Sequence, residues 1–471
     1  MSKLCVFLAA AVALSGCFLV GPNYRRPPID TPGSWRFEET EARDTANTMW
    51  WKEFHDPVLD ELVEAALKEN KDIRIAGARI EEFLGRYRTT RAALFPQVGG
   101  GALAAKRDIS RYVTPSWPPG TANPYWDYQT FLNASWQIDM WGQLRRATEA
   151  ARADLLATDE FRRVVVLTVV TVVASAYTDL RDLDKQLEIA RATVESRAHS
   201  LELFRLRFGR GLISEVDLRQ AESEYEAAVA TIPALEKQIA FQEDTLSFLV
   251  GRNPSAIPRG NSLDGLHLPE VPEGLPSQLL ERRPDIRLAE ENLIAANARI
   301  GVAKAAYFPT ISLTGVYGLE SNDLSNLFSG PARMWNFVGS LAGPIFTAGA
   351  IAGQVKTAES IQQESLFRYQ QVIQEAFREV EDALIDQRKS REELQAQRQQ
   401  VDALQRYADL ARVRYENGYT SYLEVLDAER SLFTAQLLLT ETQGNLFRAL
   451  VNLYKAMGGG WVVQATNLTG G

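Results

Sequence analysis

The feature that most constrains this chain is the stretch from Gly349 to Met457. After Gly349, roughly 65 residues pass without a proline and with one glycine, Gly353, and they are rich in Gln, Glu, Arg, Ala and Leu. These are strong helix formers. The pattern stops at Asn417-Gly418, and a second helical pattern runs from Ser421 to Met457. Leu394, Val401, Ala408 and Tyr415 lie seven apart, with Leu404 and Ala411 between them, which gives the arm an apolar seam of coiled-coil type. At about 1.5 Å per residue the first arm would be on the order of 95 Å long. A hairpin of that length is built to reach across a distance.

The same design occurs upstream. Gln143 to Arg207 forms an earlier long arm with Leu183, Leu187, Ala190, Val194, Leu201, Phe204 and Phe208 on one stripe, which Arg197 interrupts. Its turn, Arg207-Phe208-Gly209-Arg210-Gly211, leads into Ser214-Glu215-Val216-Asp217, as Arg414-Tyr415-Glu416-Asn417-Gly418 leads into Ser421-Tyr422-Leu423-Glu424, 207 positions later. Asp72-Ile73-Arg74 and Ala92-Ala93-Leu94-Phe95-Pro96 match Asp285-Ile286-Arg287 and Ala305-Ala306-Tyr307-Phe308-Pro309 at an offset of 213. The chain is a tandem duplication of a unit of roughly 200 residues.

Between the helical stretches the period changes. In Tyr128 to Asp139, Thr130, Leu132, Ala134, Trp136 and Ile138 alternate with polar residues, Phe131 being the exception. Thr310 to Tyr317 alternates likewise, Trp335 to Phe346 less cleanly, and the Gly/Ala-rich Val98 to Lys106 is the candidate partner of the first. Segments of about ten residues with period 2 are what a transmembrane β-strand requires. Trp117, Tyr125, Trp126, Trp136, Trp141, Tyr307, Trp335 and Phe346 crowd their ends. The soluble alternative is two small hairpins on a helical body. Each repeat thus carries one hairpin, at about 98–139 and 310–346, giving four strands per chain. Strands in lipid must close into a barrel, and the smallest spanning barrels have about eight strands. If these strands span, the barrel must be shared between chains.

At the N-terminus, Lys3, the apolar run Leu4 to Leu14 and the ending Leu14-Ser15-Gly16-Cys17 describe a secretory signal over 1–16. That ending resembles the bacterial lipoprotein box, in which the Cys17 thiol takes a diacylglyceryl group. Phe18, where an Asp would favour inner-membrane retention, points to the outer membrane. Lipidation would leave no free thiol, since Cys5 lies within the signal, and that suits an oxidising compartment. An ordinary signal peptide containing a cysteine is the plain alternative.

A Pro-rich leader occupies 17–56, repeat 1 covers 57–251, a linker 252–274, repeat 2 275–461, and a tail 462–471. The shorter helices are expected at about 57–93, 212–250 (with a kink at Pro233), 284–307 and 421–457, stacked in pairs to match the long arms. Val164 to Ala176, about 13 residues, is too short to span a membrane and reads as tight packing within the long helix.

The net charge of −9 argues against nucleic acid, which needs a basic face. Enzyme readings do poorly. His55, His199 and His267 are isolated in sequence and show no metal-ligand spacing, and no phosphate loop or GxSxG element is present. Glu424 and Asp427 could be called an acid/base pair, but nothing else defines a pocket around them. No metal and no cofactor are expected beyond the lipid on Cys17.

Leu275-Pro276-Ser277-Gln278-Leu279-Leu280-Glu281-Arg282-Arg283-Pro284-Asp285-Ile286-Arg287 resembles the block opening the second repeat of TolC-like outer-membrane efflux proteins, in their lipoprotein (NodT or OprM-type) branch. Gly21-Pro22-Asn23-Tyr24, Phe54-His55-Asp56-Pro57, Leu426-Asp427-Ala428-Glu429-Arg430 and Leu453-Tyr454-Lys455-Ala456-Met457-Gly458-Gly459-Gly460-Trp461 look like the same branch. The resemblance covers nearly the whole mature chain. It implies a mainly α fold with four transmembrane β-strands per chain, assembled as a homotrimer. Three chains would share a twelve-stranded outer-membrane β-barrel continued by an α-barrel of twelve helices that narrows at the hairpin tips. It further implies the exit duct of a tripartite efflux pump for small molecules, with a periplasmic adaptor and an inner-membrane transporter of the resistance-nodulation-division class as partners. A type I protein-secretion duct and a non-conducting scaffold lipoprotein are the competing readings.

Ser421-x-x-Glu424 reads as a capping box, as does Ser214-x-x-Asp217. Asp427 lies one turn past Glu424 on the same face, and its counterpart in the first repeat is Gln220, so the hairpin itself does not need it. The resemblance carries the periplasmic constriction over to Asp427, with Glu424 and Tyr415 as second choices. Three chains would then form a ring of carboxylates at Asp427 and another at Glu424. A dipole-favoured first-turn acid is the dull reading of Asp427. Some family members tie their tips through an Arg two residues after the turn glycine. Here that position is Thr420. Adaptor docking would fall on Gly209, Arg210, Gly211, Asn417 and Gly418, where glycine also serves turn geometry.

Overall fold

The computed structural model describes residues 19–29, 31–32, 35–36, 49–110, 112, 122–268 and 276–458. The signal segment, Cys17, Phe18, Trp117 and the tail lie outside the described residues. Eight α-helices are described: α1 (Pro57–Glu69), α2 (Lys71–Ala92), α3 (Gln143–Gly209), α4 (Glu215–Leu249), α5 (Pro276–Arg282), α6 (Pro284–Ala305), α7 (Ala350–Glu416) and α8 (Tyr422–Met457). The four strands are β1 (Gln97–Arg107), β2 (Tyr125–Ile138), β3 (Thr310–Ser321) and β4 (Arg333–Ala342). Both long arms are single helices of 67 residues. Pro233 sits inside α4, whose helical assignment continues past it.

One expectation needs correction. The helix read as continuous over 57–93 is broken at Asn70, which is extended (ψ 131°) and separates α1 from α2. Its Oδ1 accepts from Asp72 N at 2.9 Å and Ile73 N at 3.2 Å, so Asn70 caps a fresh helix start. Arg283 breaks α5 from α6 at the equivalent place, 213 positions on, and there Pro284 disfavours helix at the residue before it. One break is made by a side-chain cap and the other by a proline.

The chain divides into two compact units, and each draws segments from both repeats. The first comprises Met1–Pro28, Ile80–Thr158 and Ala289–Tyr369 and holds the sheet. Its order is β1-β2-β3-β4, antiparallel throughout. The register puts Leu132 opposite Tyr317 and Gly100, Trp136 opposite Leu313, and Tyr317 opposite Trp335. These side chains share one face with Val98, Phe337 and Leu341, because residues two apart point the same way. All are exposed in the single chain, Val98 at 74% and Phe337 at 76%. The other face carries Gln129, Asn133, Ser135, Gln137, Ser312 and Ser340. Phe131, the exception to the alternation, stands on this polar face between Gly101 and Gly318. A Cβ on Gly101 would come within 2.9 Å of its ring, and one on Gly318 within 2.8 Å of its Cβ. The aromatic residue and the two glycines are one packing solution.

The leader is held in this unit. Val20 N donates to Trp141 O at 3.1 Å, and buried Arg146 donates to Gly21 O at 3.2 Å and Asn23 Oδ1 at 2.7 Å. Gly21, with φ +94°, lies so close to Gly301 that a Cβ would reach 2.5 Å from the Gly301 Cα. That close approach explains the glycine of Gly21-Pro22-Asn23-Tyr24.

The second unit comprises Ile29–Arg79, Asp159–Leu288 and Gln370–Gly471. Its main core joins Trp50, Trp51 and Phe54, α1, and Val166, Val169, Val170 and Val173 of α3. This accounts for the Val-rich run. Part of α3 is long and apolar enough to cross a membrane, but 61% of that window is buried within the protein. Asp56 binds the linker to this core. Its Oδ1 caps α1 at Val58 N and Leu59 N, and its Oδ2 accepts from Tyr177 Oη at 3.0 Å and Asn261 N at 2.8 Å.

Candidate functional site

The predicted gate and docking residues all fall in the second unit, where the α3–α4 and α7–α8 turns meet. A separate cluster there contains Leu201, Phe204, Leu218, Ala408, Tyr422 and Leu426, with Tyr415 packed against it. Phe204, Tyr415 and Tyr422 form an aromatic trio, with ring centres 4.0 Å apart for Phe204–Tyr422 and 5.2 Å for Tyr415–Tyr422. Burial pushes the Tyr422 phenol up to about 12, so it stays neutral. Arg207, at the end of α3, donates to Tyr415 Oη at 2.9 Å and stacks on its ring. Tyr415 is thereby tied to the other hairpin.

The backbones of the two turns share two closing hydrogen bonds. Leu212 N donates to Arg207 O at 2.9 Å and Gly211 N to Phe208 O at 2.8 Å; Tyr419 N donates to Arg414 O at 2.9 Å and Gly418 N to Tyr415 O at 3.0 Å. Gly211 and Gly418 have φ of +74° and +76°, the left-handed closure that glycine provides. Gly209, Arg210, Gly211, Asn417 and Gly418 are all exposed. Asn417 Nδ2 donates to Val413 O at 2.7 Å and satisfies a terminal carbonyl of α7.

The side chains differ. At Ser214 the capping box is complete: Asp217 N donates to Ser214 Oγ at 3.2 Å, and Ser214 N to Asp217 Oδ2 at 3.2 Å. At Ser421 the expected box is not made, because the Ser421 side chain caps nothing. Its acid is engaged elsewhere. Arg414 donates to Glu424 Oε1 at 2.7 Å, and Thr420 Oγ1 donates to Glu424 Oε2. Glu424 therefore bridges the turn instead of closing its own helix start. Asp427 stands half exposed, with Arg430, one turn along, at 2.7 Å. Arg412 pairs with Glu429 nearby.

Sequence reading missed Arg207, Arg414 and Thr420 as partners of Tyr415 and Glu424. The available signal was the Arg at both turn starts, Arg207 and Arg414.

A long-helix body carrying a four-stranded sheet with one apolar and one polar face defines a subunit of an outer-membrane channel. Known proteins agree. The chain matches the family model "Outer membrane efflux protein" over residues 62–252 and 275–459. It is 38% identical over 466 residues to the probable efflux pump outer membrane protein SepC of Pseudomonas putida, covering 96% of each chain. It is 36% identical over 462 residues to the cation efflux system protein CusC of Escherichia coli, covering 96% of this chain and 97% of the other. Among solved structures, a crystal structure of CusC superposes with a TM-score of 0.83 at 34% identity, covering 93% of this chain and 99% of that one. The Campylobacter jejuni CmeC outer membrane channel gives 0.88 at 25% identity, covering 96% and 98%. The chain belongs to the outer membrane efflux protein family, and it is an outer-membrane channel protein of an efflux pump.

Proposed function

We propose that the protein is a homotrimeric, passive exit duct for small molecules, anchored through a lipid on Cys17 in the outer membrane of a Gram-negative cell. One observation carries this reading: a four-stranded sheet whose first and last strands, β1 and β4, are paired on one side only among the described residues and whose apolar face is exposed. An open edge has no place in lipid. Joining β4 of one chain to β1 of the next gives twelve strands in three chains, with the Leu132–Trp335 face toward lipid and the Asn133–Ser312 face toward water.

The duct performs no bond chemistry. Its working parts are the tips, where Asp427 and Glu424 form carboxylate rings about the three-fold axis and the Arg207–Tyr415 bond holds the hairpins together. Gly209, Arg210, Gly211, Asn417 and Gly418 present the surface for a periplasmic adaptor, which couples the duct to an inner-membrane transporter of the resistance-nodulation-division class.

The edge pairing is tested by placing one cysteine on β1, at Val98, and one on β4, at Leu341, in the acylated chain. Oxidation is expected to give covalent dimers and trimers that survive denaturation. Monomers alone from every β1/β4 pair tried would contradict a shared barrel.

A further inference from the structure

Two of the three histidines, separate in sequence, meet in the second unit. The His55 and His267 rings lie 4.8 Å apart between centres, inclined at 53°, and both side chains are exposed. Each is held in place by the backbone. His55 takes the left-handed conformation, φ 53° and ψ 35°, which is uncommon for a non-glycine residue. Its N–H donates to Lys52 O, and its O accepts from Asn261 Nδ2 at 2.9 Å. His267 N donates to Phe54 O at 3.3 Å, and its ring Nδ1 lies 3.0 Å from Glu53 O.

That last contact fixes the tautomer. A carbonyl oxygen can only accept, so Nδ1 carries the proton and the neutral ring leaves its Nε2 lone pair free. Histidines that bind metals show this arrangement, with the other ring nitrogen donating to a carbonyl or carboxylate. The spacing agrees. Were one nitrogen of each ring to face a shared ion at about 2.0–2.1 Å, centres 4.8 Å apart would correspond to an N–metal–N angle of about 100°. The surroundings include Glu53, which is exposed, and Asp60, whose Oδ1 is buried without a hydrogen-bond partner. Lys52, Asp56 and Glu64 are the other charges acting on Asp60 beside His55.

We propose that His55 and His267 form a surface site for one borderline divalent transition-metal ion, Zn²⁺ or Cu²⁺, with water completing the coordination. Among the described residues no three His, Cys, Asp or Glu side chains converge on one metal position, so this is a two-ligand site. The ion fastens the segment carrying Asn261 and His267, between the two repeats, to the Trp50–Phe54 turn that opens the first repeat.

The test uses the full-length acylated protein without a histidine tag. Zn²⁺ binding is measured by calorimetry, and Cu²⁺ binding by electron paramagnetic resonance. His55→Asn keeps a residue that tolerates the left-handed backbone, and His267→Asn keeps an N–H donor for Glu53 O. The proposal expects one ion per chain and coupling to two imidazole nitrogens. Saturable binding should be lost in either variant, each lacking one of the two ligands, and stay unchanged in His199→Ala. Equal binding by wild type and both Asn variants would overturn it, and so would the absence of saturable binding to wild type. Either result leaves the efflux duct standing, since that reading rests on the sheet and the tips.

Discussion

The two hairpin turns share one backbone and part company in their side chains. Leu212 N and Gly211 N make the same closing bonds as Tyr419 N and Gly418 N, although Arg210 N reaches Arg207 O while Asn417 N reaches Val413 O, and Gly211 and Gly418 have φ values 2° apart. Yet Asp217 caps its own helix, whereas its counterpart Glu424 crosses the turn to Arg414 and Thr420. Arg207 binds Tyr415 on the other hairpin, whereas Arg414 stays within its own. Asp427 has only Gln220 opposite it in the first repeat. Duplication supplied two similar turns, and in the second Glu424 pairs with Arg414 and Thr420 instead of capping its helix.

The strongest way to break this comparison is at the glycines. A Cβ at Gly211 or Gly418 meets no neighbouring atom within 4 Å, so Gly211→Ala and Gly418→Ala should both lose stability through backbone strain alone, by about 1–2 kcal/mol. Amide exchange at the two tips should rise by similar factors. A large inequality would mean that the turns are not equivalent.

A smaller effect separates the acids. Asp217→Ala removes a cap and should loosen Ser214–Leu218 amides by about 1 kcal/mol, leaving conductance alone. Glu424→Ala should do the opposite, because its Arg414 partner is half exposed and such pairs contribute about 0–1 kcal/mol. Equal exchange changes in the two variants would restore capping as the role of Glu424.

A separate effect, read from pH dependence, concerns a carboxylate that, unlike Asp217, is poorly served by its site. Asp182 is buried, shares Arg448 with Asp179, and accepts from Gln186 at 2.8 Å. Burial raises its carboxyl from 3.8 to about 6. The folded chain therefore holds this proton more tightly than the unfolded one. The resulting stabilisation is full below pH 3.8 and is lost as pH rises through about 6. Asp182→Asn should flatten the pH dependence of the melting temperature between pH 4 and 7, and an unchanged slope would remove Asp182 as its source.

Much of this was legible in the sequence. The repeat, the two long arms, the four strands and both turns follow from periodicity and glycine placement, which act over short separations. The Asn70 break was hidden because Asn is read as a weak helix residue before it is read as a cap. The Phe131 exception resolves only once Gly101 and Gly318 are its cross-strand neighbours. Ser421-x-x-Glu424 misled because a capping box states what a carboxylate can reach, while Arg414 offered it a charged partner. His55 and His267 meet only through the folding of the linker, and no local pattern announces that.

The most direct test is single-channel conductance of the purified protein in planar bilayers, comparing wild type, Asp427→Ala and Gln220→Ala. The expected result is a small, cation-preferring current that grows in Asp427→Ala and stays unchanged in Gln220→Ala. Equal currents in all three would take Asp427 out of the gate, and no current from any of them, with no stable trimer in detergent, would contradict the duct itself.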